Sequence, residues 1–455
     1  MNQKAVQPER IKILNDHKAA EGDYVVYWMQ ASQRTHYNHA LLYAINQANK
    51  LKKPLIVYFG LTDKYPNANQ RHYFFMLEGL KEIQESLNEI NVQLVVLRVV
   101  PKIGAVELAQ DASLMVADRG YLNNQIKWRE YVAENVKCPM IQIESDVIVP
   151  VEVTSAKEEY SAATIRKKIK SKIGDFLVPV KHQIPLEGSL DMNFDSISIQ
   201  DENKVLSKMK IDRSVKEVEY FRGGTSQAFK HLKNFLKNKL DKFADLRNDP
   251  TQDYASHMSP YLHFGQISPL YIALMVSSLD SNGKDAYLEE LIVRRELSMN
   301  FVFYNQFYHD FQGLPDWAKK TLNKHAEDER DYLYSIDELD RAETHDPYWN
   351  AAQQEMVHRG KMHGYMRMYW GKKIIEWVSN PKEAYKIAIF LNDKYELDGR
   401  DANGYTGVAW CFGKHDRPWK ERNIFGTVRY MNASGLRRKF KIDAYVDLVN
   451  DYFVS

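Results

Sequence analysis

Cysteine is scarce in this chain: Cys138 and Cys411 are the only two. Two thiols cannot build a disulfide framework, a four-thiolate zinc site or a cysteine-ligated iron–sulfur cluster. Glycine signatures are missing as well. No GxGxxG follows the first strand-like run, which argues against a dehydrogenase-type dinucleotide site, and no P-loop pattern occurs. There is no serine–histidine–aspartate or metal-ligand constellation. The N-terminal MNQKAVQPERIKILNDHKAAEG has no apolar core of the secretory kind, and the longest apolar runs, such as PLIVYFGL (54–61), are far too short to cross a bilayer. Charge of one sign is not in excess: 62 Lys plus Arg face 60 Asp plus Glu, a formal +2. Nucleic-acid or membrane binding must then come from a local patch. These absences predict a soluble, intracellular protein of a reducing compartment, with no metal and no membrane anchor; a monomer is expected.

What is present divides into two halves. The 455 residues are 44% hydrophobic and 27% charged, enough to bury real cores. Over 1–150, short β-type runs (23–29, 54–61, 92–99, 113–118, 140–145) alternate with helix-type stretches (36–50, 70–90, 122–137). That pattern predicts a Rossmann-like parallel sheet covered on both faces. From 151 to 215 the pattern loosens into an inter-domain linker, with a basic run IRKKIKSKIG (165–174). Over 216–455 helical signals dominate. HDPYWNAAQQEMVHRG (345–360) offers Asp346 as cap, Pro347 at the first helical position and Gly360 as stop, and the next helix is expected to run until Pro381. The fold class expected is an α/β domain followed by an all-α domain.

Six of the eight tryptophans (Trp317, Trp349, Trp370, Trp377, Trp410, Trp419) fall in the second half. Trp370 and Trp377 are seven apart, on one helix face about 10.5 Å apart. That spacing suits core packing; it also suits a row of oxidisable rings or platforms for bases. A second cluster is basic and aromatic, running from Arg417, Trp419 and Lys420 through Arg422, Arg429 and Tyr430 to Arg437, Arg438, Lys439 and Lys441. It fits a phosphate backbone or a solvated charged face equally well. A third, RNDP (247–250) followed by SHMSPYLHFGQIS (256–268), reads as a weak anion site.

The long motifs LRNDPTQDYASHMSPYLHFGQIS, YLEELIVRRELSMNF, HDPYWNAAQQEMVHRGKMHGYMRMYW and LNDKYELDGRDANGYTGVAW carry more than spacing. With VVYWMQASQR (25–34) they resemble the class II cyclobutane pyrimidine dimer photolyases, over nearly the whole chain, within the photolyase/cryptochrome superfamily. The resemblance implies an α/β antenna domain, a linker, and a helical domain that holds FAD, active as FADH⁻, and binds UV-damaged DNA. It implies that Ser256, His257, Met258 and Ser259 surround the FAD phosphates and that Phe243, Arg295 and Arg400 also contact the cofactor. Arg367 and Asp398 match the ion pair beside the flavin ring, and Asn392 the residue at flavin N5. Class I members use an Asn at the position of Gly404 here, which cannot bond through a side chain.

For the lesion, the resemblance assigns Arg247 and Asn248 to phosphate and base contacts, Glu290 to the dimer, and Met368 and Trp410 to the pocket floor and wall. Arg294 stands where some relatives carry a second wall Trp. Arg417 and Arg429 are expected on DNA. Trp370, Trp349 and Trp377 match an electron relay that recharges the flavin. An antenna chromophore of deazaflavin or folate type is implied but not specified.

Splitting a cyclobutane ring needs one electron given and taken back, so no nucleophile is required; the cofactor supplies the chemistry and the protein orients it. Excising the dimer from the stack is base flipping, a class of event in which photolyases are a named example. Other readings remain: a cryptochrome-like flavin light sensor, for which a longer C-terminal extension is expected, a flavin-free nucleic-acid-binding module, or an adenylate-type enzyme, which the missing phosphate loop disfavours.

Overall fold

The computed structural model describes residues 6–18 and 20–452. Its first half is built on a six-stranded sheet of order β1-β6-β5-β2-β3-β4. The strands are β1 (Ile11–Ile13), β2 (Tyr24–Trp28), β3 (Leu55–Gly60), β4 (Gln93–Leu97), β5 (Ala112–Asp118) and β6 (Met140–Ile143). All pairings are parallel except that of β1 with β6. The helices between them are α1 (His39–Leu51), α2 (Gln70–Asn88), α3 (Pro101–Leu108) and α4 (Asn123–Asn135). Side chains alternate across the sheet. Val25 and Tyr27 enter the core under α1 and α2, while Tyr24, Val26 and Trp28 enter the core under α3 and α4. The five strand runs and three helical stretches of the sequence are all found. The edge strand β1 and the helix α3 were not anticipated, being too short to show a period.

Residues 151–215, expected as a connection, do more than connect. Ile199, Val205, Leu206 and Met209 pack into the core under α1 and α2, and Ile197 N–H bonds to the carbonyl of Val96 on β4. The polar stretch hid this because only a few apolar residues are spent on it.

Helices dominate the second half. Asp346 caps the helix Pro347–Arg359 by accepting from Tyr348 and Trp349 N–H, and Gly360 closes it at φ +72°. The following helix, Gly364–Trp377, stops four residues before Pro381 rather than at it. Pro381 instead opens the helix Pro381–Tyr395 under an Asn380 cap, the position where a missing N–H costs nothing. The two halves are fastened by buried arginines. Arg71 of α2 donates to the carbonyls of Met356 (3.2 Å), Val357 (2.5 Å) and Tyr395 (2.7 Å), satisfying helix C-termini that would otherwise lack partners. Arg34 reaches Asp146 at 3.1 Å and the carbonyl of Gly265 at 2.9 Å. No helix among the described residues is long and apolar enough to cross a membrane.

Candidate functional site

A buried charged cluster forms where the loop 256–259, the start of the Gly364–Trp377 helix and the turn 396–401 meet. The turn is fixed by its own sequence. Leu397 N–H bonds to the Gly360 carbonyl at 2.8 Å, Arg400 sits at φ +57° with its N–H on Asp393 Oδ1 at 2.7 Å, and Asp401 caps the helix Ala402–Cys411. Within the cluster, Arg367 Nη2 donates to Glu396 Oε1 at 2.9 Å and lies 3.7 Å from Asp398 Oδ1. Lys361 Nζ donates to the Ser259 hydroxyl and stands 3.3 Å from Asp398 Oδ2. Burial favours the neutral carboxyl in both acids, but they part company. Lys361 and Arg367 hold Asp398 well below the usual range, whereas burial and the Asp398 charge push Glu396 up to about 8. Burial alone would lower Arg367, yet the two acids raise it above its ordinary value.

The expected Arg367–Asp398 pair is thus present but is the longer of two contacts. Glu396 is the nearer partner, and sequence reasoning missed it along with Lys361. Both lie inside the motifs already quoted, and an acid two residues before Asp398 was the available signal.

The cleft is shaped for a polar ligand. Arg367 Nε and His257 Nδ1 are buried with no hydrogen-bond partner among the described residues, whereas the protonated Glu396 carboxyl hydrogen-bonds to that of Asp398. Leaving such groups unpaired costs about 1–3 kcal/mol each, so the arrangement is poised for polar contacts from elsewhere. Asn392 is buried, and a Cβ placed on Gly404 would stand 3.1 Å from Asn392 Nδ2. The glycine therefore clears the space that the Asn392 amide uses. His257 is held at φ +58° with Nε2 at 2.6 Å from Asp253 Oδ1; burial outweighs that carboxylate and lowers its pKa to about 4. Ser256 is half-buried and Met258 buried beside it.

Behind the cleft the three indoles form a continuous row. Trp349 and Trp370 stack at 6.3 Å with planes 6° apart, and Trp349 meets Trp377 edge-on at 5.6 Å. Trp349, from the preceding helix, bridges the two that share a helix face. Trp370 Nε1–H bonds to Gln353 Oε1 (2.9 Å) and Trp349 Nε1–H to the Trp370 carbonyl (3.0 Å). Trp377 continues to Tyr334 and His345, each 5.3 Å away.

The mouth of the cleft is ionic and aromatic. Residues Glu289–Arg294 form a π-helical turn, an irregularity frequent at functional sites. Arg247 Nη1 pairs with Glu290 Oε1 at 2.5 Å, and the Arg294 guanidinium lies 5.2 Å from the Trp410 ring centre. His415 packs edge-on to Trp410 at 6.0 Å. Met368 Sδ lies 3.8 Å from Cys411 Sγ, and Asn248 is exposed beside Arg247. Further along the surface, Arg417 and Arg429 lie 5.6 and 5.1 Å from the half-exposed Trp419 ring.

Three further residues predicted on the cofactor have protein partners here. Phe243 is packed between Phe235 and Tyr287 in an apolar cluster. Arg295 donates to the carbonyl of Asp146, and Arg400 Nη1 to that of Asp393 at 2.7 Å. Both arginines line a second cavity, between the halves. Its other walls are the ends of β2 and β3 (Gln30, Leu61), the β5–α4 loop (Tyr121) and Trp128. This is the carboxyl edge of the parallel strands at the reversal of strand order, the usual ligand crevice of such sheets.

An α/β layer joined to a helical domain with an ionic cleft and an indole row is the architecture of the photolyase/cryptochrome fold. Consistent with that, a photolyase of known structure from Sulfolobus tokodaii, described with two FAD molecules, superposes with a TM-score of 0.70 at 16% identity over 93% of this chain and 89% of its own. The DNA photolyase family model matches residues 25–185. The deoxyribodipyrimidine photo-lyase of Methanothermobacter thermautotrophicus is 54% identical over 98% of both chains, and that of Potorous tridactylus 40% identical over 95% of this chain and 83% of its own. The chain belongs to the DNA photolyase family.

Proposed function

We propose that this protein is a class II photolyase that uses light to split cyclobutane pyrimidine dimers in damaged DNA, with reduced FAD in the charged cleft. The observation that carries it is the common wall of cleft and mouth. Arg367 and Met368 are consecutive, so one helical turn carries both the guanidinium of the charged cluster and the thioether that packs on Cys411, the chain neighbour of Trp410. A dimer in the mouth is then adjacent to a flavin in the cleft. When bound, FAD supplies an electron on illumination and recovers it after the ring opens.

The chain's own residues do the rest. Arg367, Lys361 and Asp398 fix the charge beside the ring, and the Glu396 proton keeps that cluster from carrying a second negative charge. Asn392 offers a donor and an acceptor at one ring edge. Glu290 must release Arg247 to contact the dimer, freeing that arginine for a phosphate. Trp410 offers a stacking face, and Arg417 and Arg429 contact the backbone. Trp370, Trp349 and Trp377 recharge oxidised flavin. The inter-domain cavity fits a planar antenna of deazaflavin or folate type, with Arg295 and Arg400 against its polar edge. The photo-lyase names of both curated relatives favour repair over a cryptochrome-like sensor.

The test is an oligonucleotide carrying one dimer, incubated with reduced protein in light and in darkness. Dimer loss only in light is expected. Equal dimer content in both arms would overturn the reading, and loss of (6–4) products alone would overturn the substrate.

A further inference from the structure

The basic run of the linker has no role in the function above. It forms the helix Ala162–Lys170, which buries Ala162, Ile165 and Ile169 and turns its other face to solvent. Two of the neighbouring lysines are engaged: Lys168 with Glu159 at 2.5 Å, and Lys172 with the Val153 carbonyl. Lys167 and Lys170, three apart on one face, are exposed and make no ion pair or hydrogen bond among the described residues. Arg166 crosses to the π-helical turn and grips Glu289 with two bonds, 2.9 and 2.6 Å. Arg294 Nε stands 3.5 Å from the same carboxylate. Burial pushes the Glu289 carboxyl up, but Arg166, Arg294 and Lys170 together hold it below its usual value. One carboxylate therefore serves three cations, and the excess is positive.

This excess adjoins the other basic surface. Just before the helix, Tyr160 Oη donates to the Asp416 carbonyl at 2.8 Å and its own carbonyl accepts from His415 Nδ1, placing the linker against Arg417. Attraction to the helix dipole explains a basic last turn, but it does not explain Arg166 reaching across to Glu289.

We propose that the exposed face of the linker helix, formed by Arg166, Lys167 and Lys170 and joined to Arg294 through Glu289, binds phosphodiesters of the DNA strand flanking the dimer. It extends the Arg417 surface past the lesion mouth. The inference rests on the reading that the mouth between Glu290 and Trp410 receives the dimer.

The test compares wild-type protein with Lys167→Gln/Lys170→Gln on two duplexes, one carrying a dimer and one undamaged, between 50 and 200 mM salt. Loss of phosphate contacts should raise both dissociation constants by a similar factor, about three- to tenfold, and flatten the plot of log affinity against log salt by about 1–2. Lys208→Gln, on the exposed end of the Glu202–Ser207 helix, should change neither. An unchanged slope in the double variant, a loss confined to the dimer duplex, or an equal loss in Lys208→Gln would each overturn the proposal. A wild-type protein with no dimer preference and no light-dependent repair would instead overturn the functional reading, and the undamaged duplex would still decide the linker surface.

Discussion

Trp349, Trp370 and Trp377 are buried to within 2% of full exclusion, and the N–H groups of Trp349 and Trp370 end on protein acceptors. A few residues away, Glu290, Arg294 and Trp410 are half-exposed, Glu290 paired with Arg247 and Arg294 set over the Trp410 ring through contacts that a ligand can replace. The indole row is a packed core whose geometry cannot vary without a packing cost. The mouth is a set of charges whose partners can be exchanged at little net cost, since exposed pairs are worth about 0–1 kcal/mol. Electron transfer asks for fixed distances, and lesion capture asks for groups free to re-pair. The protein separates the two demands in space.

Trp349→Phe would break this contrast most sharply. It removes the ring that joins Trp370 to Trp377, so photoreduction of bound oxidised FAD should be lost, while chemically pre-reduced protein still repairs dimers. The core should survive with a cost of about 1–3 kcal/mol. Transient absorption checks the first outcome and thermal melting the second. Photoreduction at the normal rate would move the relay elsewhere.

Trp410→Ala tests the mouth. Dimer affinity should fall by about 1–3 kcal/mol, the usual worth of one base–aromatic stack, with photoreduction unaffected. Fluorescence titration on damaged and undamaged duplexes separates this from a general loss of DNA binding.

The ionic cleft between the two regions answers to pH. Burial raises Glu396, and outside the cluster Glu296, whose Oε1 accepts from Ile148 N–H at 2.6 Å, to about 8, against about 4.5 in an unfolded chain. Between those values the folded protein binds more protons than the unfolded one, so stability is greatest below about pH 4.5 for these two groups and declines as pH rises toward 8. The buried histidines His257, His363 and His415, lowered to about 3–4, act in the opposite sense below pH 6.5, so the drop in melting temperature should show between pH 6.5 and 8. Glu396→Gln, which keeps the hydrogen-bonding shape without the titration, should make the decline shallower.

The smallest change expected is from Gly404→Ala. Its Cβ would stand 3.1 Å from Asn392 Nδ2, tight enough to displace the amide by a few tenths of an ångström. Stability should change by about 1 kcal/mol, and the flavin absorption bands should shift because the neighbouring amide moves.

Most of the architecture was legible in the sequence because strands buried on both faces leave continuous apolar runs, and the capped helix at 347–359 announces itself through Asp346, Pro347 and Gly360. The motifs point to Arg367, Asp398, Asn392, Glu290 and Trp410; the structure sets Arg367 near Asp398 and Asn392 against Gly404. What the sequence withheld were relations set by packing between helices. Glu396 lies beside Arg367 only because the 396–401 turn folds back on the end of its helix. Trp377 joins the row through Trp349, which lies 28 positions earlier in the chain. Motif position gives Phe243, Arg295 and Arg400 no direction; Phe243 packs between Phe235 and Tyr287, and Arg295 and Arg400 line the inter-domain cavity.

The π-helical turn at Glu289–Arg294 makes the lesion mouth sensitive to chain length. Such a turn accommodates one more residue than a regular helix would, and its neighbours on both sides are α-helical. Removing a single residue there would let the segment relax into continuous α-helix, rotating everything before it by about 100° relative to everything after it. Glu290 would leave Arg247, or Arg294 would leave Trp410; both contacts could not persist. Substitutions in this segment are therefore negotiable side chain by side chain, whereas a one-codon deletion is not. The site is written in register as much as in residue type.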